Sequence, residues 1–155
     1  MRRRQSEKRE VPLDPIYNDA VVTRLINKIM IGGKKSKAEA TVYGALEVLS
    51  DRTKQPPMEA FKKALSNVKP LLEVRPRRVG GATYQIPFEV PERRAVALAI
   101  RWIVTSARAK SGKPLKEKLA LELVDAYNGQ GNAVKKREDV HKMAEAGKAY
   151  AHFRW

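Results

Sequence analysis

A chain of 155 residues is long enough for one domain with one hydrophobic core. Its formal net charge is +15, from 32 Lys and Arg against 17 Asp and Glu, with a pI near 10.2, so its expected counterpart is a polyanion: nucleic acid, or a membrane surface as the competing class. Zero cysteines exclude disulfides and Cys-based zinc sites and fit a reducing compartment; no apolar run approaches the roughly 20 residues that span a bilayer, and 43% hydrophobic residues suffice for a core.

Residues 1–15 hold Arg2, Arg3, Arg4, Lys8 and Arg9 and have no apolar period. They are expected to form a mobile basic tail, so the division is a basic extension at 1–16 and one helical domain at 17–155. The charged first ten residues give no secretory signal. A first helix is predicted over about 19–31. Asn18 or Asp19 caps it, Val21, Val22, Leu25, Ile26, Ile29 and Met30 form its buried face, and Gly32-Gly33 ends it. Ser36 and Glu39 read as a capping box for a second helix running to about residue 53, with Ala38, Val42, Ala45, Leu46 and Leu49 as its stripe. Lys34, Lys35 and Lys37 surround its start. Pro57 opens a third helix built on Met58, Phe61, Leu65 and Val68, and Pro70 ends it.

Residues 72–90, LEVRPRRVGGATYQIPFEV, have the only sheet character in the chain and read as a two-stranded antiparallel hairpin. A two-residue Gly80-Gly81 loop would set Glu73 opposite Phe88 and Arg75 opposite Ile86, charge against apolar side chains. A three-residue loop pairing Val79 with Thr83 separates an apolar face from one carrying Glu73, Arg75, Arg77, Gln85 and Glu89. The second register is preferred. Two strands alone are marginal in water, so the base leans on helices while the tip projects. Tyr84 either stacks on an unpaired base or pairs across the strands with Arg78.

A fourth helix over about 92–110 is apolar around most of its circumference and takes a central place. Arg94, Arg101 and Arg108 lie at seven-residue spacing on its narrow polar strip, either a solvated edge or a ligand face. After a loop flanked by Lys110, Lys113, Lys116 and Lys118, a fifth helix uses Leu115, Leu119, Leu123, Val124 and Tyr127 and closes at Asn128-Gly129. Gly131-Asn132 opens a sixth helix with Lys135, Lys136 and Arg137 in its first turns. Its stripe of Val140, Met143, Ala144, Gly147 and Ala151 is made mostly of small residues, suited to close packing on a helix or on a ligand backbone. The fold class is therefore mainly α: a six-helix bundle with one protruding two-stranded antiparallel β-hairpin.

Nothing points to catalysis. His141 and His152 lack metal-ligand spacing and read as ordinary surface residues. Gly80-Gly81 precedes no Gly-Lys-Ser/Thr, and no serine sits in a nucleophile elbow. The basic clusters are spread through the chain, which argues against a membrane-bound amphipathic helix. A DNA-binding helix-turn-helix is disfavoured by Pro56-Pro57, and an RNA-modifying enzyme lacks a cofactor loop.

The stretches VRPRRVGGATYQIPFEV, AVKKREDVHKMAEAGKAYAHFRW, NKIMIGGKKSKAE and ALAIRWIV resemble, in order and across essentially the whole chain, the small-subunit ribosomal protein seven family in its bacterial or organellar form. The resemblance implies a non-enzymatic protein of the small ribosomal subunit, cytoplasmic or organellar. It would have no cofactor or metal and no membrane partner, and would be a monomer outside the ribosome. It implies binding to the 3′ major (head) domain of small-subunit rRNA, a role in nucleating head assembly, proximity to exit-site tRNA and mRNA, and contacts with neighbouring head and platform proteins. The rRNA-binding positions are expected at Arg2, Arg3, Arg4, Lys34, Lys35, Arg75, Arg77, Arg78, Arg94, Arg101 and Arg108. Gly80, Gly81, Tyr84, Lys136, Lys142 and Arg154 are expected near tRNA and mRNA. Two residues depart from the family's pattern: Pro76 stands where a small polar residue is usual, and Gly147 where asparagine is usual.

Overall fold

A computed structural model describes residues 9–153. The described chain is anchored ahead of its first helix. Asp14, within the stretch read as a tail, is only 2% exposed. Its carboxylate accepts from the backbone N–H groups of Ile16 and Tyr17 and from the Tyr43 hydroxyl at 2.7 Å. Asp19 then caps α1 (Ala20–Ile29) by accepting from Val21 N at 2.7 Å. The helix stops at Met30, before the glycine pair. Gly32 and Gly33, at φ +61° and +72°, form the turn into α2 and do not cap α1.

The helix α2 (Lys35–Thr53) begins two residues earlier than the capping box requires. Lys34 is its N-cap without a side-chain bond, Ser36 falls inside the first turn, and Glu39 pairs with Lys35 at 3.4 Å. The link to α3 (Pro57–Val68) is short, three residues with Lys54 left-handed at φ +56°, so the prolines permit a sharp turn there. Yet α3 commits Ala60, Phe61, Ala64, Leu65 and Val68 to the core.

One core cluster joins all six helices. Val22, Leu25 and Ile26 of α1, Val42, Leu46 and Leu49 of α2, and Phe61 of α3 meet Ile100 and Ile103 of α4 (Glu92–Ala109) and Leu119 and Leu123 of α5 (Leu115–Tyr127). The central place expected for α4 is shared. α4 packs on α1, α3, α5 and α6 (Asn132–Ala146), and α5 packs on α2, α3, α4 and α6. The sixth helix does not run on as an α-helix to the end of the chain: at Gly147 it tightens into a 3-10 helix, Gly147–Phe153.

A charged residue sits in the middle of this core. Glu122 of α5 is completely buried. Its Oε1 accepts from Ala133 N at 2.9 Å, satisfying one of the orphan N–H groups at the start of α6. Its Oε2 lies 2.8 Å from Lys110 Nζ in a skewed ion pair, and Lys110 also donates to Asp125 at 3.0 Å. The end of α4 and the start of α6 are thus tied to the body of α5 through the Glu122 carboxylate and the Lys110 ammonium. Lys110, expected among the basic loop residues, is spent inside the fold.

The strands β1 (Leu72–Val79) and β2 (Ala82–Glu89) pair antiparallel with Val79 opposite Ala82, Arg75 opposite Ile86 and Glu73 opposite Phe88. This is the two-residue register, not the preferred three-residue one. Gly80 and Gly81 both have positive φ, +58° and +87°, as a tight type I′ turn demands. The prolines explain the choice. Val90 N donates to Leu71 O, so hydrogen-bonded pairs alternate from that pair through 73/88, 75/86, 77/84 and 79/82. Pro76 and Pro87 then fall at non-hydrogen-bonded pairs, where a missing N–H costs no ladder bond. The other register would set Pro87 opposite Arg75 at a hydrogen-bonded pair and lose one.

Candidate nucleic-acid interface

The observed register brings Glu73, Arg75, Arg77, Tyr84, Ile86 and Phe88 to one face of the arm. Charge lies beside apolar groups there, and the conflict is resolved by ion pairing and stacking. Glu73 Oε1 accepts from Arg75 Nε and Nη2 at 3.1 and 2.8 Å. Its Oε2 accepts from Arg94 Nε of α4 at 2.7 Å. The Arg75 guanidinium lies 4.9 Å from the centroid of the Phe88 ring, a cation–π contact between diagonal cross-strand neighbours. Glu73 is 8% exposed, whereas Arg75 and Arg94 keep about half of their side-chain surface in solvent. The root of the arm and the start of α4 are therefore joined through one carboxylate. Burial pushes the Glu73 carboxyl up, but the hydrogen bonds from Arg75 and Arg94 outweigh it and hold it below the usual glutamate range.

Farther along, the three arm arginines separate. Arg77 is half-buried opposite Tyr84, and Arg78 is exposed on the other face opposite Thr83. The cross-strand partner of Tyr84 is thus Arg77, not Arg78. The Tyr84 ring packs at 4.5 Å on Tyr150 of the terminal 3-10 helix, so it is half-covered. The arm does not stand free above its base. Gly147 lies so close to β2 that an added Cβ would run into the Gln85 carbonyl oxygen and reach Pro87 Cδ. Within the stripe of small residues, Gly147 thus makes room for the backbone of a strand, while α6 also packs on α3, α4 and α5. His141 is likewise no ordinary surface residue: its Nε2 accepts from Leu71 N at 3.0 Å at the start of the arm. Burial first, then the Arg137 charge, lowers its pKa, consistent with a neutral acceptor.

All three arginines of the α4 strip are exposed. Arg94 is committed to Glu73 through one nitrogen, and Arg108 donates to the last carbonyl of α1, Ile29 O, at 3.1 Å. Arg101 and Arg78 have no side-chain partner among the described residues. Lys34 is exposed, and Lys35 is exposed while paired with Glu39. Lys136 and Lys142 are exposed on α6, but Arg137 between them turns inward and donates to Asn67 O at 2.6 Å, stitching α6 to α3. Gly80 and Gly81 are exposed at the tip. Arg2, Arg3, Arg4 and Arg154 lie outside the described residues. Among the described residues no group of His, Asp and Glu could hold a metal ion, and no helix is long and apolar enough to cross a membrane.

Sequence reasoning missed Glu73, Glu122, His141 and Gly147. The signals were present for the two acids. Glu73 is the single acid ahead of three arginines, and Glu122 interrupts the Leu119, Leu123, Ala126 face of α5.

A basic helical bundle carrying a two-stranded arm, with guanidinium groups aligned from the arm's root along one helix, defines a polyanion-binding architecture without a catalytic constellation among the described residues. The sequence profile of the family described as Ribosomal protein S7p/S5e matches residues 1–148. Over all 155 residues, covering the whole of both chains, the sequence is 78% identical to the small ribosomal subunit protein uS7 of Kosmotoga olearia, 62% to that of Fervidobacterium nodosum and 58% to that of Thermotoga maritima. The chain belongs to the ribosomal protein S7p/S5e family, whose members are structural ribosomal components and not enzymes.

Proposed function

We propose that the protein is a structural constituent of the small ribosomal subunit that binds the 3′ major (head) domain of its rRNA and helps nucleate assembly of the head. The observation that carries the reading is the joint at Glu73: it links Arg75 of the arm to Arg94, whose helical face continues to the exposed Arg101. Phosphate contacts supply most nucleic-acid affinity, and guanidinium groups give them planar, bidentate geometry. Lys34, Lys35 and Arg78 add exposed charge to this reading, as do Arg2, Arg3 and Arg4 by composition. The family resemblance supports the choice of the head domain and the contacts with neighbouring head and platform proteins. It also supports a position for the glycine tip, Tyr84, Lys136, Lys142 and Arg154 near exit-site tRNA and the mRNA path.

The test is a footprint and titration on a head-domain rRNA fragment with Arg78→Ala/Arg101→Ala, two exposed positions whose side chains make no hydrogen bond or ion pair among the described residues. Far-UV circular dichroism should be unchanged. Affinity should fall, and the log–log salt slope should become shallower by about 1.4 to 1.8, two phosphates' worth. Unchanged affinity and slope would remove these residues from the interface. Equal competition by duplex DNA would favour a general DNA binder.

A further inference from the structure

An acid at the root of a polyanion-binding arm is out of place electrostatically. Glu73 stands beside Arg75 and Arg94, where its charge repels a phosphate that either arginine attracts. Its geometry is nonetheless that of a built element: the carboxylate is buried, and each oxygen is engaged by a different arginine, one from the arm and one from the bundle. We propose that Glu73 is a positioning residue that holds Arg75 and Arg94 together as one preorganised clamp for the phosphate backbone of RNA. The proposal rests on the reading that this face binds RNA.

The donors support it. A guanidinium carries five N–H groups. Arg75 spends two on Glu73 and Arg94 spends one, leaving three and four with no other partner among the described residues. Each side chain keeps about half of its surface in solvent, which leaves room for a ligand on both arginines. The Phe88 ring, 4.9 Å from the Arg75 guanidinium, packs against it and restrains it further. A free arginine gives up rotamer freedom when it seizes a phosphate, whereas folding has already removed that freedom here. Ionised at neutral pH, Glu73 keeps this arrangement through the physiological range.

Charge and positioning predict opposite signs, which makes Glu73→Gln the decisive variant. Removing a negative charge close to the phosphates should tighten binding if Coulomb attraction alone matters. If Glu73 positions the pair, binding weakens about five- to tenfold despite the added net positive charge. Affinity for the head-domain rRNA fragment would be measured at one salt concentration for wild type, Glu73→Gln, Arg75→Ala/Arg94→Ala, and the triple variant. The double arginine variant should bind roughly tenfold more weakly, and Glu73→Gln should add nothing in that background. Wild-type affinity in the double arginine variant would overturn the RNA-face reading itself. Weakened binding there, together with equal or tighter binding by Glu73→Gln, would overturn the positioning role alone. Arginine Nε–H resonances supply an independent readout: those of Arg75 and Arg94 should be slowly exchanging in the free wild type and averaged in Glu73→Gln, with cross-strand contacts of the arm retained. If Glu73→Gln loses those contacts, Glu73→Asp carries the test. It keeps the charge and shortens the reach by one methylene, and wild-type affinity in that variant would overturn the proposal.

Discussion

Lys110→Met tests how the bundle is closed. In the native protein the Glu122 carboxylate has no exposed surface; Ala133 N satisfies one oxygen, and the other faces Lys110 Nζ at 2.8 Å. Methionine keeps the length of the side chain but leaves that oxygen without a cation. Removing one partner of a buried pair costs about 3 to 5 kcal/mol. Lys110 keeps 26% of its side-chain surface, so water reaches the pair and a cost reduced below that range, about 2 to 3 kcal/mol, is expected. For a domain of this size that corresponds to a melting temperature lower by about 5 to 10 °C. Burial alone would lower the Lys110 pKa, but its bonds to Glu122 and Asp125 outweigh that and raise it. A raised lysine pKa contributes stability that is fully present below the unfolded-state value and lost only as pH climbs through the folded one, so a neutral assay records all of it. The assay is urea unfolding followed by helical circular dichroism at pH 7, with Glu122→Gln and the double variant alongside. Glutamine preserves the acceptor for Ala133 N, so the double variant should lose less than the sum of the two singles. A loss below about 1 kcal/mol for Lys110→Met, or strict additivity, would refute the reasoning.

Two glycines should behave oppositely. Gly147→Ala places a Cβ against the Gln85 carbonyl and should cost about 1 to 3 kcal/mol and loosen the arm, read by faster amide exchange in β2. Gly44→Ala meets only the flexible end of Lys116, so the gain in helix propensity should leave stability unchanged or raise it by up to about 1 kcal/mol in the same urea assay. His141 should titrate below its usual value of 6.5 by NMR, and the Leu71 amide should shift with the same midpoint, because protonation removes the acceptor at Nε2. Its folded pKa is depressed, so its contribution to stability is complete above 6.5 and lost as pH falls through the folded value. A Leu71 amide that ignores the His141 titration would show that the bond does not hold the arm.

The stripes Val22, Leu25, Ile26 and Val42, Leu46, Leu49 are buried as their spacing requires, and Asp19 caps as read, because periodicity and capping act within one turn of helix. The register of the arm was legible in principle. Pro87 tolerates only a non-hydrogen-bonded pair, whereas the segregation of polar from apolar faces favours the other register, and that segregation fails when a guanidinium neutralises an acid and packs on Phe88. Gly147 illustrates the limit of local reading: small residues announce a close approach without saying to what.

Composition, helix periodicity, a glycine turn between two strands and the basic positions themselves follow from the sequence alone, since each depends on neighbours within a few residues. The fate of each charge was decided by tertiary structure. Arg137 and Lys110 turn inward, Arg78 and Arg101 stay in solvent, and Glu73 binds two arginines 19 residues apart in sequence. A charged side chain of several bonds can be buried or solvated on the same stretch of chain. The choice rests on whether a partner from a distant segment offsets its desolvation, and only the packed fold brings that partner within reach.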